Sequence, residues 1–72
     1  MKLAYHPDKD SLYIDLAEQP SFESREISEG IVLDYDTSGN LVGIDIDNAS
    51  RKVQLQRLVV TGLQGEVEKR VG

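Results

Sequence analysis

Apolar side chains recur at every second position in two pairs of short segments, the period of a strand with one buried face. In the first pair, Leu3 and Tyr5 alternate within residues 2–6, and Leu12, Ile14 and Leu16 within residues 11–17. Between them lie Pro7, Asp8, Lys9 and Asp10, residue types that suit a reversal. A four-residue loop there sets Tyr5 against Leu12 and Leu3 against Ile14, so the apolar set gathers on one side of a hairpin. The second pair is Ile31–Asp36 and Leu41–Ile46 around Thr37-Ser38-Gly39-Asn40, where Ser38-Gly39 supplies tolerance for positive φ. An even loop predicts Tyr35 opposite Val42, Leu33 opposite Ile44 and Ile31 opposite Ile46. The other side then carries Val32, Asp34, Asp36, Leu41, Gly43 and Asp45.

Between the hairpins, Pro20 ends one strand and Glu29-Gly30 makes a turn. Phe22–Ser28, rich in charge, reads as an exposed edge strand. After Asp47 the alternation dissolves. Asn48 or Ser50 is placed to cap a helical turn near Arg51, followed by a short extended piece through Val59, Val60 and Thr61. The end, with Gly62, Gly65 and mixed charge, predicts a frayed tail with residual helix. The fold class is therefore mainly β, α+β at most. The expected architecture is a small antiparallel meander of four to five strands, with a short C-terminal helical turn or segment crossing one face. Residues 1–63 form a single β-rich domain and residues 64–72 a flexible C-terminal tail.

The inward list is Leu3, Tyr5, Leu12, Ile14, Leu16, Ile31, Leu33, Tyr35, Val42, Ile44 and Ile46. The C-terminal segment offers about half as many apolar side chains. Burial contributes roughly 25 cal/mol per Å² of apolar area, so an uncovered remainder is comparable with a small domain's whole margin. Self-association or a partner chain is the expected remedy. The 72 residues contain no cysteine, so neither a disulfide nor a thiolate metal site replaces that cover.

Eight basic and thirteen acidic residues give a net charge of −5. That balance repels phosphate backbones and argues against nucleic-acid binding, the cluster Arg51, Lys52 and Arg57 reading as a solvated face. Neither a signal-peptide apolar region nor a membrane span is evident, so the expected location is the cytoplasm.

Alternation sends Tyr5 and Tyr35 inward and Tyr13 to the other side with Asp15. There Tyr13, Asp15, Val32, Asp34, Leu41 and Asp45 make a modest apolar patch ringed by carboxylates, suited to a basic protein partner. Three Asp-x-Asp pairs, Asp8/Asp10, Asp34/Asp36 and Asp45/Asp47, point their carboxylates to common faces. Asp34, Asp36 and Asp45 are the candidates for a divalent cation or for acid–base chemistry. A calcium site, however, takes about six to eight oxygens, and no such ligand run is present. His6, with Ser11 and Asp10, lacks any nucleophile-elbow or oxyanion signature. No cofactor is implied, and the residues point to a binding module rather than an enzyme.

Tyr5-His6-Pro7-Asp8, Asp10-Ser11-Leu12-Tyr13-Ile14, Gly30–Asp36, Leu41–Ile46 and Asn48-Ala49-Ser50, in this order and spacing, resemble the small prokaryotic family catalogued as domain of unknown function 2283. The resemblance spans about residues 1–63. It implies a small β-rich protein of bacterial or archaeal type with no established enzymatic activity. Through relatives encoded beside toxin genes, the resemblance suggests by analogy an antitoxin-like role, without assigning any residue a duty in it. Asp45 stands where the family more often has glutamate, and Asp47 where it often has an apolar residue.

Overall fold

The computed structural model describes residues 1–55, 57, 61 and 68–71. Alternating residues build strands β1 (Lys2–His6), β2 (Ser11–Asp15), β3 (Glu23–Ser28), β4 (Ile31–Tyr35) and β5 (Leu41–Asp47). A four-residue helix α1 (Ala49–Lys52) and a short strand β6 (Glu68–Val71) follow. The strands form one sheet in the order β3-β4-β5-β2-β1-β6. Its first five members pair antiparallel, and β6 lies parallel to β1.

The β1/β2 hairpin pairs Tyr5 with Leu12 and Leu3 with Ile14. In the β4/β5 hairpin, Leu33 meets Ile44 and Ile31 meets Ile46. At the tip the expected register fails: Tyr35 pairs with Leu41, and the register shifts between Asp34 and Tyr35. The cause is the Asp36 carboxylate, which accepts the Ser38 and Asn40 backbone N–H groups at 2.9 Å each. This closes a turn one residue longer than Thr37–Asn40, with Gly39 at φ +83°. The bulge removes Leu41 from the alternation that would have grouped it with Gly43 and Asp45.

The long-range pairing of β2 with β5 sets Leu12 opposite Ile46 and Ile14 opposite Ile44, joining the two hairpins into one apolar surface. Leu12, Ile46 and Ala49 form the buried cluster there, with Leu3, Tyr5, Ile14, Ile44 and Leu55 packed against it. The segment after β5 thus crosses the apolar side through Ala49 and Leu55. Of the inward list, Leu12, Val42 and Ile46 are buried. Leu16 is exposed, and the other seven are half-buried.

Helix α1 is not capped by its own residues. Asn48 occupies the cap position in the left-handed conformation, and its side chain makes no capping bond. The cap comes instead from Asp10, itself at φ +50°. Its carbonyl accepts the Ala49 N–H at 2.9 Å, and its carboxylate accepts the Ser50 N–H at 3.0 Å and the Ser50 hydroxyl at 2.6 Å. Lys52 fastens the same helix to the neighbouring turn, donating to the carbonyls of Asp47 and Glu29 at 2.6 and 3.1 Å.

The residual helix expected near the C-terminus is, at Glu68–Val71, a strand beside β1. Backbone groups left open on β1 by its single hairpin partner are what β6 satisfies. The Glu68 N–H donates to the Met1 carbonyl at 3.0 Å at the start of this pairing. Apart from Thr61, the extended piece expected at 59–61 lies outside the described residues, as do positions 64–67 and 72 of the expected tail.

Candidate functional site

The side of the sheet opposite the apolar cluster collects the residues that alternation assigns to it. Tyr13 pairs with Asp45, which pairs with Val32, and in the next row Asp15 pairs with Gly43, which pairs with Asp34. The Tyr13 side chain runs diagonally across β5 and donates its hydroxyl hydrogen to Asp34 Oδ2 at 2.8 Å. Gly43 makes this crossing possible, because a Cβ there would run into the Tyr13 hydroxyl and ring. Its glycine character answers a close approach, not a turn.

Asp34 is held from both sides. Its second carboxylate oxygen accepts the Ser24 hydroxyl of β3 at 2.6 Å, while Asp45 accepts the Ser11 hydroxyl at 3.2 Å. Among the described residues, the Lys or Arg ion pairs are Arg25 with Glu23 and Arg70 with Glu68, and neither involves Asp15, Asp34 or Asp45. The consequence appears in Tyr13. Desolvation first, then the hydrogen bond to Asp34 and the negative charges of Asp34, Asp15 and Asp45, push its phenol from 10.0 up to about 12.

A phenol whose pKa is raised on folding contributes stability that is complete below its unfolded value. Tyr13 therefore predicts stability falling as pH rises from 10 through about 12. Tyrosinate absorbance checks this, with Tyr13→Phe removing the late transition. A titration of the wild type that Tyr13→Phe leaves unchanged above pH 11, apart from the loss of one ring near 10, would refute it.

Of the six residues expected to form the patch, Tyr13, Asp15, Val32, Asp34 and Asp45 occupy adjoining rows, and Leu41 is displaced by the bulge. The three carboxylates considered for a cation do not converge. Asp36 holds the β4/β5 turn, and its pKa is lowered, chiefly by the Asn40 N–H. No group of three His, Asp or Glu side chains able to hold a metal ion occurs among the described residues.

Spacing alone does not reveal Asp10 as a structural centre. Its carboxylate also accepts the Tyr5 hydroxyl at 2.8 Å. The Ser50 hydroxyl, then Tyr5, hold its pKa below the ordinary carboxylate value, and in return Asp10 raises that of Tyr5. The signal available was an aspartate ending a turn beside a tyrosine one strand away, but its third partner is forty residues on.

An open sheet with two joined hairpins and a Tyr-Asp crossing over a glycine defines a small β-sheet domain. The family described as protein of unknown function (DUF2283) matches residues 2–50, and the chain belongs to it. The match ends at Ser50, before the 51–63 segment that the sequence resemblance included. No curated protein and no solved structure matches. Among the described residues, no helix is long and apolar enough to cross a membrane.

Proposed function

We propose that this protein is a non-enzymatic interaction module whose carboxylate-bearing sheet face receives a basic segment of another protein. The observation that carries this reading is the placement of Asp15, Asp34 and Asp45 around the half-buried Tyr13 ring. All three raise its pKa, and none is paired with a described lysine or arginine. Val32 and the ring supply apolar contact between the charges, and the net charge of −5 steers a cationic partner toward the molecule. Neutralisation of a basic toxin is one form of this activity, suggested by the family resemblance.

The test is a nuclear magnetic resonance titration of the labelled protein with a lysine- and arginine-rich peptide, beside an acidic peptide of equal length. Expected are shifts centred on Tyr13, Asp15, Val32, Asp34 and Asp45. They weaken as salt rises and fall at least about tenfold in affinity in the Asp34→Asn, Asp45→Asn double variant. Equal response to both peptides, or shifts spread over the surface, would overturn the reading.

A further inference from the structure

The outer edge of β3 is a different surface from the carboxylate face. β3 ends the strand order, and among the described residues no strand lies beyond β4 on that side except β3 itself. Every residue from Glu23 to Ser28 is exposed, as is Phe22 just before it at 73%. A terminal strand presents a row of backbone N–H and C=O groups able to template another strand. The pairing with β4 is regular from Glu23 to Glu26 and shifts between Glu26 and Ser28, so the straight portion of the edge is short.

An antiparallel pair of identical edges related by a two-fold axis sets one residue opposite itself. Its neighbours then pair symmetrically about it. Four such centres exist within the regular portion. Centres at Glu23, Arg25 or Glu26 place like charges directly opposite each other, which is destabilising. The centre at Ser24 does the reverse. It sets Glu23 of each copy against Arg25 of the other, with the two Ser24 residues facing across the axis.

Glu23 and Arg25 already share a face, since they pair with Tyr35 and Leu33 on β4. They form an exposed ion pair at 3.4 Å within the chain, and the Arg25 guanidinium is held over the Tyr35 ring, 5.4 Å from its centroid. Both side chains stay exposed on one face of the terminal strand, where the directly opposite residues of a neighbouring strand would meet them. We infer that β3 pairs antiparallel with β3 of a second copy, centred on Ser24, with reciprocal Glu23–Arg25 contacts between the copies.

Centred on Ser24, the pairing runs from Phe22 to Glu26, and so short a strip buries less than the roughly 1,200 Å² typical of stable complexes, which makes this a transient dimer formed at high concentration. It leaves the carboxylate face free, so its failure and that of the face reading are separable.

Sedimentation equilibrium to millimolar protein, with amide shifts followed on dilution, tests it. Concentration-dependent association with shifts confined to residues 21–27 is expected. Glu23→Arg alone and Arg25→Glu alone each weaken association by about tenfold or more, because each sets like charges opposite. An equimolar mixture of the two variants restores it as a heterodimer. The double exchange E23R/R25E restores it within one chain, a result that a folding defect in either single variant would not produce. A chain that stays monomeric to millimolar concentration, dilution shifts elsewhere, or a mixture that does not associate would each overturn the proposal.

Discussion

Gly43→Ala destabilises the fold by about 2 kcal/mol, and the same change made after Tyr13→Ala is neutral or stabilising. Alanine in a strand is ordinarily better than glycine by roughly 0.5–1 kcal/mol, since glycine loses more backbone entropy on folding. Here that preference is reversed. The new methyl group occupies the space of the Tyr13 hydroxyl and ring carbons, so the ring must swing away. It then gives up its bond to the Asp34 carboxylate, a charged hydrogen bond of the class that contributes about 1.5–3 kcal/mol. Removing the ring first removes the collision, and the intrinsic preference for alanine returns. A double-mutant cycle by urea denaturation should therefore give a coupling of about 2–3 kcal/mol between positions 13 and 43. Additive effects would mean that Tyr13 does not lie over Gly43.

Leu12→Ala costs more, about 3 kcal/mol within the usual range of about 2–5 for a buried leucine. Leu12 is 7% exposed at the centre of the sheet, paired with Tyr5 on one side and Ile46 on the other, with Ala49 in the same cluster. Neighbours from two hairpins and the crossing segment cannot all collapse into the space it leaves. Native stability runs at about 0.05–0.15 kcal/mol per residue, or roughly 4–11 kcal/mol for a chain of this length, so the loss is a large share of the total. Phe22→Ala is the control. That larger ring is 73% exposed, and its removal should change stability by less than about 0.5 kcal/mol. Equal midpoint shifts in denaturant for the two variants would show that the core lies elsewhere.

Both hairpins were legible because each depends on residues close in sequence. The turn at Pro7–Asp10 fixes Tyr5 against Leu12, and the pairing of Leu33 with Ile44 follows from the period of two. The tip at Tyr35 and Leu41 was not, since alternation counts residues but does not show that the Asp36 carboxylate would gather two backbone amides and lengthen the turn. The seam between β2 and β5 joins segments about thirty residues apart, and nothing local specifies it. Strand β6 was hidden for a related reason: its charged sequence carries no alternation, and its partner is at the other end of the chain. For the candidate site, period two placed Tyr13, Asp15, Asp34 and Asp45 on a common side. The Tyr13–Asp34 bond was out of reach because it needs the unanticipated seam to bring β2 alongside β5.

Asp10 gives the two ends of the matched region a shared fate. A turn that would otherwise be a replaceable connector supplies, among the described residues, the side-chain cap of a helix near residue 50, so the first hairpin and α1 must be seated together. Engineers seeking new chain ends or an insertion point should avoid the Pro7–Asp10 loop, however accessible it looks. The Thr37–Asn40 tip, whose hydrogen bonds among the described residues stay within its own hairpin, is the better place to open the molecule.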